Sequence, residues 1–141
     1  MTKTVCSGHR LLWTACACLV ALSAGPAAAH PHVWVTMKIE VVYAPEGAVS
    51  ELRHTWAFDQ MFSTFATQGI KSGQKGVFTR EELQPLADVQ ISSLKDFSYF
   101  TFARINGEPV QWSAPTDYWL DFNEGTLSLT FSLALKDKKP S

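Results

Sequence analysis

The sequence predicts an α+β fold, mainly β: an antiparallel, sandwich-like sheet carrying a helical insertion at about residues 59–95. Three observations predict it. Apolar residues alternate with period two over 33–43, 49–58 and 127–135, the signature of half-buried strands. Between Asp59 and Leu94 the spacing turns helical. Asn106-Gly107, the strongest short-range hairpin signal, then returns the chain to strand.

Each element has a local cause. Val33, Val35, Met37, Ile39, Val41 and Tyr43 form one apolar row, with Trp34, Thr36, Lys38, Glu40 and Val42 on the other side. Ala44-Pro45-Glu46-Gly47 is turn chemistry, so 49–58 pairs back as a hairpin with Leu52, His54, Trp56 and Phe58 on one face. Asp59 is a natural N-cap for a short helix bearing Met61, Phe62, Phe65 and Ala66. Thr79 and Glu82 form a capping-box pattern opening a second helix toward Leu94, with Pro85 near its first turn. Strands are expected at 97–105, 110–112 and 118–122. Asn123-Glu124-Gly125 turns the chain into a last strand with Leu127, Leu129, Phe131, Leu133 and Leu135 in register.

Residues 1–29 read as a secretory signal peptide. Lys3 and Arg10 precede an uncharged run over 11–24, and Ala27-Ala28-Ala29 offers a cleavage site. That run falls short of the roughly 20 residues needed to span a bilayer, so no direct membrane span is expected after cleavage. The mature chain is then a single periplasmic domain, 30–141, beginning at His30. Cys6, Cys16 and Cys18 all leave with the leader, so no disulfide staples the domain. Two of the 12 basic residues and none of the 13 acidic ones leave with it, for a net charge of −3. Without a basic stripe, nucleic acid is not an expected partner. The terminal Lys136-Asp137-Lys138-Lys139 run reads as a solvated tail.

Residues 59–86 have the outline of a degenerate EF-hand. With Gly76 at loop position six, Lys71, Gly73 and Lys75 stand where calcium needs oxygen ligands, and Glu82 stands at the bidentate position twelve. No calcium is expected there.

The blocks HPHVWV, LRHTWAFDQMFSTFATQG, TREELQPLA, LKDFSYFTFARINGEPV and PTDYWLDFNEGTLSLTFSL together resemble the bacterial family known as domain of unknown function number 1007. That family is described as a periplasmic component of an ABC-type transport system, its members lying beside or fused to nickel/cobalt-like permeases. The resemblance covers essentially 30–135. It implies a periplasmic accessory role in divalent metal transport, with a membrane permease as partner. Family members continue with further strands past the equivalent of Leu135, so the chain reads as a C-terminally truncated piece with an open sheet edge.

The candidate metal ligands are His30, His32, Asp59 and, less favoured, His54. Cleavage after Ala29 leaves the His30 α-amine beside its imidazole, with His32 on the same strand face. Imidazole nitrogen suits nickel, cobalt, copper or zinc. Pro31 has no amide proton to give up, which closes the square-planar amino-terminal mode and leaves a more exchangeable site. His54 lies in the apolar row and reads first as a core histidine, Asp59 first as a helix cap. Asp117 and Asp121 read as solvent-side residues. No nucleophile–base set, phosphate loop or close acid pair suggests catalysis. The expected function is therefore non-catalytic metal handling through His-Pro-His. The alternative is an interaction module docking to a permease with no metal site of its own.

Overall fold

The computed structural model describes residues 33–136. The leader, its cleavage point, His30, His32 and the tail after Lys136 lie outside the described residues.

Two long strands open the domain, β1 (Val35–Tyr43) and β2 (Val49–Phe58). They pair antiparallel with Met37 opposite Trp56, Ile39 opposite His54 and Val41 opposite Leu52, so apolar row meets apolar row. Ala44 N–H to Ala48 O and Gly47 N–H to Ala44 O, each 2.8 Å, close the turn between them. Helix α1 (Gln60–Ala66) follows at once, and α2 (Arg80–Lys95) follows a 13-residue connection, 67–79. A 3-10 turn (Ser98–Phe100) leads to the two-residue strands β3 (Arg104–Ile105) and β4 (Glu108–Pro109), joined by Asn106-Gly107 with φ of 52° and 84°. Both central residues are left-handed, the geometry that the Asn-Gly pair favours. Strands β5 (Tyr118–Asn123) and β6 (Thr126–Ala134) complete the fold.

The main sheet has the order β1-β2-β6-β5, antiparallel throughout, with β6 running back between β2 and β5. One face carries the core. Leu127, Leu129, Phe131 and Leu133 of β6 and Leu120 of β5 are fully buried, against Trp56 and Phe58 of β2 and Leu83, Ala87 and Ile91 of α2. Period two places the β6 residues on one side, and the i, i+4 spacing of Leu83, Ala87 and Ile91 gives α2 its matching stripe. α2 lies chiefly against β5, and α1 against β6. Ser63, completely buried in α1, ties helix to sheet: its hydroxyl donates to Asp59 O at 2.7 Å and accepts Leu127 N–H at 2.9 Å. Leu127 lies one residue beyond the last β6 residue paired with β2, so the serine replaces a missing strand partner.

The mainly β, antiparallel expectation describes this domain, but two finer expectations do not. Among the described residues no second sheet packs on the first as in a sandwich; helices cover the core face and β3–β4 is a small separate hairpin. A further difference lies at 97–105, read from sequence as a strand. Ser98, Tyr99 and Phe100 instead adopt φ of 53°, 53° and 49°, a left-handed turn that breaks any strand there. It buries the Tyr99 side chain, which lies 6.2 Å from Phe131 ring to ring. Likewise, 110–112 contributes one bridge, Trp112 to Leu135, in place of a strand.

At 59–86 two helices flank a connection, and Glu82 has a local role there. Glu82 completes the Thr79 capping box through its Oε2, accepting Thr79 N–H at 2.8 Å. Its Oε1 accepts Gly73 N–H at 3.0 Å, so the carboxylate closes the connection by itself. The helix continues through Pro85. No helix among the described residues is long and apolar enough to cross a membrane.

Candidate functional site

Of the four candidate ligands, the described residues contain Asp59 and His54. Asp59 ends β2 and caps α1. Its Oδ1 accepts Phe62 N–H at 2.9 Å and its Oδ2 accepts Trp34 N–H at 2.9 Å. Its own N–H donates to Trp34 O at 3.0 Å. Backbone donation from Phe62 foremost, and then from Trp34, holds its carboxyl below the ordinary aspartate range, so it stays ionised at neutral pH. The same side chain thus caps a helix and fixes the backbone leading into β1. A carboxylate has roughly four lone-pair positions, and two remain beyond these bonds.

His54 is 1% exposed and stacks on Phe131 with ring centroids 4.6 Å apart and planes 5° from parallel. Its Nδ1 accepts the Trp56 Nε1–H at 3.3 Å. Its Nε2 lies 3.3 Å from Thr101 Oγ1, whose proton goes to Tyr99 O at 2.8 Å. Nε2 must therefore be the donor, which fixes the neutral Nε2–H tautomer. Burial lowers the imidazole pKa and favours that neutral form. With both nitrogens engaged inside the core, His54 has no lone pair free for a metal. That arrangement is the one expected of a core histidine, the role the sequence favoured for it. It does not meet Asp59, which lies at the end of the strand. Among the described residues no group of three or more His, Cys, Asp or Glu is placed to hold a metal ion.

Asp117 is exposed, whereas Asp121 is more than a solvated carboxylate. It takes a two-pronged bond from Arg80, Nε to Oδ1 at 2.8 Å and Nη2 to Oδ2 at 3.1 Å, and accepts Trp119 Nε1–H at 2.8 Å. The guanidinium lies 4.6 Å from the Trp119 ring centroid. This cluster clamps the start of α2 to the edge strand β5, a structural task.

Sequence reasoning missed two surfaces. A groove of about 860 Å³ opens beside the left-handed turn, lined by Tyr99, Phe102, Trp112, Lys95 and Arg104 among others, with no carboxylate in its wall. The buried Trp112 Nε1–H has no partner there among the described residues. Cations and aromatic walls suit an acceptor-rich group with an apolar body. Ser-Tyr-Phe has no turn signature, so nothing in the sequence pointed to the groove. The second surface is β1 itself. Its apolar row shares the core face of the sheet, yet Met37, Ile39, Val41 and Tyr43 are 54%, 51%, 47% and 61% exposed. Phe97 and Phe100, stacked at 5.4 Å, are exposed as well, Phe100 lying 6.1 Å from Trp56.

The chain belongs to the family described as Protein of unknown function (DUF1007), whose model matches residues 15–141. Comparisons with curated proteins and with solved structures gave no match.

Proposed function

We propose that this protein is a non-catalytic periplasmic accessory of divalent transition-metal transport, taking nickel, cobalt, copper or zinc where the chain runs into β1. The supporting observation is Asp59. Its ionised carboxylate is bonded to the backbone of Trp34, two residues after His32 in the chain. Covalent geometry keeps the His32 Cα within about 7 Å of the Trp34 Cα. An imidazole or two from His30-Pro31-His32 together with a fixed carboxylate make a borderline donor set, open to exchange and to completion by a permease. Metal binding requires the deprotonated imidazole and, after cleavage, the free amine.

Calorimetry on protein shown by intact mass to begin at His30 tests this reading. Affinity for these metals should weaken as pH falls from about 8 toward 5, because imidazole titrates near about 6.5 and an α-amine near about 7.7–8.0. His30→Ala, His32→Ala and Asp59→Asn should each weaken binding, and His54→Phe should leave it unchanged. Absence of transition-metal binding at about pH 7.5, where imidazole is already largely deprotonated, refutes the reading.

A second reading makes the chain a docking module for a membrane permease, without a metal of its own. The exposed aromatic surface of Phe97, Phe100 and Phe102 favours it. Capture of the permease that is undiminished in a His30/His32 double-alanine variant but lost in Phe97→Ser/Phe100→Ser would select it.

A further inference from the structure

The edge strand β1 has a property that neither functional reading uses: it is complementary to itself. Which of its backbone groups face outward follows from two bonds. Asp59 N–H donates to Trp34 O, and Leu135 N–H donates to Ser50 O. In an antiparallel ladder such hydrogen-bonded pairs alternate with non-bonded ones. From the first bond and the β1–β2 register, the even residues of β1 turn their N–H and C=O toward β2. From the second bond and the β2–β6 register, the even residues of β2 face β6 and its odd residues face β1. Val35, Met37, Ile39 and Val41 therefore direct their backbone groups away from β2, and among the described residues no strand accepts them. The open backbone belongs to the same residues as the exposed apolar row.

We propose that a second copy of this chain pairs with β1, antiparallel about a two-fold axis at Ile39, joining the two four-stranded sheets into one of eight strands. The sequence selects that register. Centring on Ile39 sets Ile39 opposite Ile39, Met37 opposite Val41 and Lys38 opposite Glu40 of the second copy, and again by symmetry. Outward backbone then meets outward backbone, and the apolar rows lie on one face. The two Lys–Glu pairs occupy non-bonded sites, where facing side chains come closest. Centring one residue earlier sets Lys38 against Lys38, and one residue later sets Glu40 against Glu40. Placing the axis between two residues would set outward backbone groups against inward ones and apolar side chains against charged ones. Within one chain, Lys38 Nζ already lies 2.7 Å from Glu40 Oε1. Pairing turns that exposed contact into a four-charge cluster, two of each sign. It also covers the open edge, the usual route to association for an unprotected strand.

Sedimentation of the purified protein over a concentration series tests this. The parent protein should show a reversible monomer–dimer equilibrium. Lys38→Glu and Glu40→Lys should each weaken it by about tenfold, since each turns two facing attractions into repulsions. The combined Lys38→Glu/Glu40→Lys variant restores opposite charges in the same register and should recover the dimer. Ile39→Pro removes an outward N–H and no bond to β2, so it should abolish the dimer while the circular dichroism of the monomer persists. Should Ile39→Pro fail to fold, the charge exchange still decides the matter. A protein monomeric at every concentration, a dimer that survives in folded Ile39→Pro, or a double charge variant no better than the single ones would each overturn the proposal. Metal affinity is read separately, so failure here leaves the metal reading standing, and the reverse.

Discussion

Replacing His54 by Phe isolates one buried titratable group, and its consequences can be worked through. The ring is stacked on Phe131 and enclosed by the core, so a phenyl ring keeps most of the packing. What it removes is polar. Trp56 Nε1–H loses its acceptor inside the core, while Thr101 Oγ1 keeps its bond to Tyr99 O. An orphaned buried donor costs about 1–3 kcal/mol; the more apolar ring offsets roughly 1 kcal/mol of that. Near pH 7.5 the variant should therefore be less stable by up to about 2 kcal/mol, or about 4–8 °C in Tm per kcal/mol for a domain of this size. The pH dependence runs the other way. Burial lowers the folded pKa of His54, so the unfolded chain, with its imidazole near about 6.5, binds the extra proton first. The contribution of His54 is complete above that value. It is lost as pH falls below it, by up to about 1.4 kcal/mol per unit while the folded ring stays neutral. The variant has no such loss, so its deficit should shrink as pH falls below about 6.5. Urea unfolding of both proteins, followed by tryptophan fluorescence across this range, reads the gap directly. A gap that stays constant with pH would refute the assignment of a neutral, fully bonded core histidine.

Two further substitutions probe the connections that hold helices to sheet. Ser63→Ala strands the Leu127 N–H where β2 no longer reaches it, and should cost about 2–3 kcal/mol in urea unfolding; a cost below about 0.5 kcal/mol would mean the bond is not carrying the junction. Glu82→Ala removes both the capping box and the bond to Gly73 N–H, and should destabilise by about 1 kcal/mol, with faster hydrogen exchange at Thr79 and Gly73. Glu82→Gln, which keeps an oxygen acceptor, should recover part of that loss.

Much of the fold could be read from residue order, because the signals are local. Period two in 33–43, 49–58 and 127–135, Asp59 and Thr79 as caps, and Asn106-Gly107 as a turn each act within a few residues, and each element forms where expected. The placement of His54 in the core followed from the same alternation. The left-handed turn at Ser98-Tyr99-Phe100 was not legible, since it is held by the burial of Tyr99 beside Phe131, a contact 32 residues away in the chain. That turn stands where a strand was expected and lines the groove.

The difference has one physical cause. Alternation establishes that β1 has an apolar side, but not whether anything covers it. Coverage depends on where α2 lies, and α2 packs toward β5 because Leu83, Ala87 and Ile91 find Leu120 and the β6 leucines there. By itself the sequence determined the hairpin, the caps, the apolar rows and the alternating charges of Lys38 and Glu40. Only the tertiary structure decided that β1 is an edge with its apolar row open, because strand order and helix placement are set by long-range packing, which local pattern does not encode.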